Sequence, residues 1–104
     1  MRPDVYRERA QARSRNLEDF TQNLLLCGLG AAEEAGEVAG IVKKHVFHGK
    51  PFSRDHFIDE IGDVLWYLDR ALAAVDCTLE MALSLNDLKL EQRYPNGFKR
   101  EDER

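Results

Sequence analysis

The run A-E-E-A-G-E-V-A-G-I-V-K-K-H-V-F-H-G-K-P-F-S-R-D-H-F-I-D-E-I-G-D-V-L-W-Y-L, residues 32–68, decides the fold of this chain. It carries Glu34 with Glu37 and Glu60 with Asp63, two acidic pairs at three-residue spacing on either side of a basic, Gly- and Pro-containing break. Residues three apart on a helix lie about 60° apart and roughly 4.5 Å apart along the axis, so each pair projects its carboxylates from one side. Two such helices joined by a short connection bring four carboxylates to one seam. Like charges gathered in a partly dry seam repel one another unless a cation sits among them. Mg²⁺, with Mn²⁺ as a substitute, suits an all-carboxylate set, whereas zinc and iron sites recruit His or Cys. No His lies three residues after a Glu here, so the Glu-x-x-His pattern of di-iron bundles is missing. Gly36 and Gly62 fall inside the two pairs, and each costs about 1 kcal/mol in a helix interior relative to Ala. The expectation is a close backbone approach at both.

Working outward, four helices account for the chain. Pro3 and Asp4 open a short, highly charged one reaching about Arg15. Asn16 is read as the N-cap of a second helix from Leu17 to about Phe47, with Gly28 and Gly30 as places where it bends or divides. Its apolar stripe is Leu24, Ala31, Ala35, Val38, Val42 and Val46, with Glu34, Glu37 and Lys44 on the flank. After the break at Gly49 to Pro51, Ser53 caps a third helix to about Asp76, whose expected core stripe is Phe57, Ile61, Val64, Leu65, Leu68, Leu72 and Val75. Trp66 falls opposite that stripe, a large aromatic face that a lone chain would leave wet. Thr78 caps a fourth helix to about Arg93, stopped by Pro95 and Gly97. Its apolar rows, Leu79 with Leu83 and Leu90 and Met81 with Leu85 and Leu88, outnumber the surfaces that one core requires. Asn86 lies within the first row and needs a polar partner. The tail from about residue 99 to 104 is expected to be mobile.

Composition narrows the functions. At 104 residues the chain is one domain with a single modest core, and its net charge of −4 argues against a nucleic-acid surface. No apolar run approaches a membrane span, and the N-terminus lacks a signal peptide's apolar region, so a cytoplasmic location is expected. Cys27 and Cys77 sit among Leu and Ala residues and read as reduced packing groups. Lys44 is a candidate phosphate contact, and His48 and Lys50 in the connecting loop are weaker ones.

The ordered combination E-x-x-E, 22 intervening residues, E-x-x-D and R-Y-P-N-G-F resembles the MazG-like nucleoside triphosphate pyrophosphohydrolases of the all-α NTP pyrophosphatase superfamily. The resemblance covers most of Gly28 to Phe98. It implies a four-helix MazG-like bundle whose core is completed by homo-oligomerisation, as homodimer or homotetramer. It also implies hydrolysis of a (d)NTP to (d)NMP and pyrophosphate in nucleotide-pool house-cleaning, with Glu34, Glu37, Glu60 and Asp63 matching the Mg²⁺ positions. Glu34 or Glu37 is then expected to activate the water, and Lys44, Asn86 and Lys89 to meet substrate. The sequence departs at Glu33, often a small residue in the family. The rival readings are a non-catalytic helical oligomerisation module and a same-superfamily phosphoribosyl-ATP pyrophosphohydrolase.

Overall fold

A computed structural model describes residues 1–14 and 19–98. Four helices form, α1 (Pro3–Arg13), α2 (Phe20–His48), α3 (Arg54–Ala74) and α4 (Leu79–Arg93), and there is no strand among the described residues. The all-α reading therefore stands. Asp19 caps α2, its carboxylate accepting from the Thr21 and Gln22 N–H groups. This corrects the assignment of Asn16, which lies outside the described residues, as does the tail from 99 to 104.

The connection between α2 and α3 is short because both helices end on local signals. Gly49 takes φ 66°, a conformation that favours glycine, and lets the Lys50 N–H reach back to the Lys44 carbonyl at 3.1 Å. His45 donates a ring N–H to the Lys50 carbonyl at 2.8 Å, and its ring meets Phe52, which in turn meets Phe57. Ser53 then caps α3 by accepting from the His56 N–H, and Thr78 caps α4 by accepting from the Met81 N–H, both as read from sequence.

An antiparallel α2–α3 pair is the principal packing, with α1 laid against α3 and only marginal contacts elsewhere. The pair closes at Gly30, where an added Cβ would overlap the Tyr67 ring. Neither Gly36 nor Gly62 has an atom of this chain near its missing Cβ, so the close approach expected there occurs at Gly30 instead. Gly28 and Gly30 do not divide α2, which runs unbroken.

The seam is built from Cys27, Gly30, Ala31 and Glu34 on α2 and from Glu60, Val64, Tyr67, Arg70 and Ala74 on α3, all buried or half-buried. The expected apolar stripes lie largely outside it. Ile61, Leu65, Leu68 and Val75 on α3 and Leu24, Val42 and Val46 on α2 are exposed. The reason is that one chain supplies only one helix–helix layer, and the acidic flank, rather than the apolar stripe, faces it. On α4 no residue is buried, and Leu83 and Leu85 are 58% and 60% exposed. Asn86, expected within an apolar row, is exposed too.

An ionic cluster ties α1 down. Asp69, 4% exposed, accepts from Arg7 Nε at 3.0 and 3.1 Å and from Arg70 at 3.1 Å, and Arg7 donates onward to the Cys77 carbonyl at 2.8 Å. Buried carboxylates persist only when paired in this way. Burial and then the charge of Asp69 push the Tyr6 hydroxyl above its ordinary pKa. Cys27 and Cys77 are free thiols, as read from sequence.

Candidate metal centre

Glu34 near the middle of α2 faces Glu60 and Asp63 in the first half of α3, because antiparallel packing about Gly30 sets these turns opposite one another. One carboxylate oxygen from each of the three lies within 4.8 Å of the others. Two helices thus contribute to one cluster. Its donors are all hard oxygens, and Glu34 and Glu60 are half-buried while Asp63 is exposed, which fits a divalent cation that keeps part of its water shell.

The electrostatics carry the mark of that crowding. The Glu34 carboxyl is held above the ordinary glutamate range, first by lost solvation and then by the charges of Asp63, Glu60, Glu33 and Glu37. Without a cation the fold stores repulsion here. Glu33, although exposed, also contributes to that field.

The remaining sequence candidates are placed differently. Glu37 is exposed one turn further along α2, outside the tight cluster but within electrostatic reach of Glu34. Lys44 is exposed three turns from Glu34. Asn86 and Lys89 are exposed on α4, which packs only marginally on the other helices. His48 and Lys50 are exposed in the α2–α3 connection.

His56 and Asp59 were not among the sequence candidates, and both adjoin the site. With Glu60 they form a second group of ligand atoms within 4.8 Å of one another, and His56 Nδ1 stands 4.0 Å from the Glu60 carboxylate. The spacing H-x-x-x-E on one helix face was the available signal. The Asp69 cluster offered no such signal, because Arg7 lies 62 residues away in sequence.

Residues 22–98 match the MazG nucleotide pyrophosphohydrolase domain, most of the described chain. The chain belongs to that family. It is also similar to the Gene 37 protein of Mycobacterium phage L5, 32% identical over 84 residues that cover 76% of this chain and 73% of that protein. No solved structure gives a significant match. The MazG region spans α2, α3 and α4, and so includes both acidic pairs and the Tyr94–Phe98 ring contact at the end of the closing motif. α1 lies outside it.

Proposed function

We propose that this chain is a single MazG domain that hydrolyses nucleoside triphosphates between the α and β phosphates, releasing a nucleoside monophosphate and pyrophosphate. Membership of a nucleotide pyrophosphohydrolase family gives the reaction class, and the convergence of Glu34, Glu60 and Asp63 is the single observation that carries the reading. When bound, Mg²⁺ supplies the positive charge that lets a triphosphate approach carboxylates and that steadies the departing pyrophosphate. Glu34, Glu60 and Asp63 would hold it. Glu37, outside the tight cluster yet one turn away, is free to orient a water and take its proton as the new P–O bond forms and the α–β bridge breaks. Pyrophosphate leaves. Lys44 on the same helix, and Asn86 and Lys89 on α4, are the proposed substrate contacts, brought in by the assembled protein.

Assembly is part of the proposal. The chain exposes 8333 Å², where about 6,000 Å² is expected of a compact monomer of this mass. Its radius of gyration is 16.6 Å against about 13 Å for a compact chain of this length. An apolar groove of about 680 Å³ lined by Leu65, Leu68, Leu72 and Leu79 opens on the outer face of α3, beside the bare rows of α4. A homodimer or homotetramer that covers these faces supplies the missing core. No described helix is long and apolar enough to cross a membrane.

The test is a screen of the common ribo- and deoxyribonucleoside triphosphates with Mg²⁺ or Mn²⁺, with pyrophosphate and phosphate detected separately. Metal-dependent pyrophosphate release that is lost in Asp63→Asn supports the hydrolase. Inactivity on all of them, with a stable oligomer, leaves a structural assembly module.

A further inference from the structure

We infer that His56, Asp59 and Glu60 form a second divalent-cation site, one that takes a transition metal such as Co²⁺ or Zn²⁺ in preference to Mg²⁺ and shares Glu60 with the acidic cluster. The site rests on its own donors, and only its bearing on catalysis rests on the hydrolase reading.

The three residues stand at i, i+3 and i+4 in the first two turns of α3, so a single face of one helix presents them all. One ligand atom from each lies within 4.8 Å of the others. Ser53, by accepting from the His56 N–H, fixes the turn that carries the imidazole. Nothing in the described chain satisfies the group. His56 Nδ1 stands 4.0 Å from the Glu60 carboxylate, too far for a hydrogen bond, and the Asp59 carboxylate has no hydrogen bond or ion pair among the described residues. Arg54, the guanidinium nearest in sequence, pairs with Asp55 instead. As a bare ion pair at that distance, His56 with Glu60 contributes little.

A cation satisfies all three at once. Donors bound at about 2.1 Å stand about 3 Å apart when adjacent around an octahedral ion, so these atoms must close by up to about 2 Å. His56 and Asp59 are exposed, and their side chains can turn without disturbing the α2–α3 seam. The donor set decides which ion enters. An imidazole nitrogen beside two carboxylates suits Co²⁺ or Zn²⁺ better than Mg²⁺, whereas Glu34, Glu60 and Asp63 offer oxygen alone. Three protein ligands leave further positions for water or for oxygens of a substrate. Glu60 belongs to both groups, and its two carboxylate oxygens allow one to serve each cation. Cations held about 3.5–4 Å apart recur in enzymes that cut phosphate bonds.

The chain has three histidines, so their ring protons can be followed one by one by nuclear magnetic resonance. With Mg²⁺ in excess to fill the all-oxygen cluster, calorimetric titration of the full-length protein with Co²⁺ is expected to show one equivalent per chain, and the paramagnetic ion should shift the His56 ring signals most. His56→Gln, at an exposed position, should weaken that binding at least about tenfold with helix content unchanged, since losing a group that merely supports a ligand already costs about 10–100-fold. His48→Gln should leave the binding as it is, and Asp63→Asn should retain it. Co²⁺ binding that Mg²⁺ abolishes, equal affinity in His56→Gln and the parent chain, or a thiolate charge-transfer band placing the metal on Cys27 or Cys77 overturns the inference. Pyrophosphate release lost in Asp63→Asn, with Co²⁺ indifferent to His56, overturns this site and leaves the hydrolase intact. Binding that requires His56, without hydrolysis of any triphosphate in Mg²⁺ or Co²⁺, upholds the site and overturns the hydrolase.

Discussion

Gly30→Ala probes the crossing on which the acidic cluster depends. In an exposed helix interior, Ala is favoured over Gly by about 1 kcal/mol, so the substitution gains that much if nothing obstructs it. Something does: the new Cβ overlaps three carbons of the Tyr67 ring. Overpacking costs about 1–3 kcal/mol, since the ring must leave its rotamer or the helices must part. Tyr67 lines a groove of about 570 Å³ between α1, α2 and α3, and space there for the ring to shift holds the cost below the worst case. The expected net is a loss of up to about 2 kcal/mol, or a Tm lower by up to about 15 °C for a domain of this size. Gly28→Ala is the internal control, because nothing lies near its missing Cβ, and its Tm should rise. The measurement is thermal unfolding of both variants at one protein concentration, since any self-association makes Tm concentration-dependent. Tyr67→Ala made in the Gly30→Ala background removes the clash, so the two effects should be non-additive. A Gly30→Ala protein as stable as Gly28→Ala would refute the close approach, and with it the placement of Glu34 opposite Glu60 and Asp63.

Other consequences are open to measurement. Glu34, whose folded pKa lies above the ordinary glutamate value of 4.5, is a source of instability once ionised. The stability gained by its protonation is fully present below that value and is lost as pH rises through the folded pKa. Metal-free protein should therefore gain Tm on acidification from neutrality toward that window, Glu34→Gln should lack that gain, and Mg²⁺ should raise Tm at neutral pH only while Glu34 is present; equal pH profiles for the two proteins would remove the crowded cluster. Asp69→Asn should cost about 3 kcal/mol in urea unfolding, because Arg7 and Arg70 then lose a buried partner, and should return the Tyr6 phenol toward its ordinary pKa of 10.0 by ultraviolet titration. A cost below about 1 kcal/mol would mean that α1 is held by something else. Leu68→Glu and Leu85→Glu should reduce the assembly toward the 12.0 kDa of one chain by sedimentation while leaving helix content unchanged, and an unaltered mass would separate these faces from the interface.

Local structure was legible in the sequence wherever a local interaction causes it. Ser53 and Thr78 cap their helices as read, the Gly-Pro break lies where α2 gives way to α3, and the i, i+3 spacing of Glu60 and Asp63 puts both on one side of a turn. Those causes act within a few residues, so a linear reading captures them. The family too was legible, because its motif is a pattern of residues and intervals.

Which side of each helix faces inward was decided by the tertiary structure. Hydrophobic periodicity identifies a stripe that needs cover but not what covers it, and the stripe through Leu65 and Leu68 remains bare while Tyr67 packs on Gly30. The position of close approach moved from Gly36 and Gly62 to Gly30 for the same reason, since contact depends on where two axes cross. Only the crossing brings Glu34 to Glu60 and Asp63, leaves Glu37 outside, and joins Arg7 to Asp69 across 62 residues. Intervals along one helix are set by its own backbone, whereas distances between helices are set by whichever side chains pack between them.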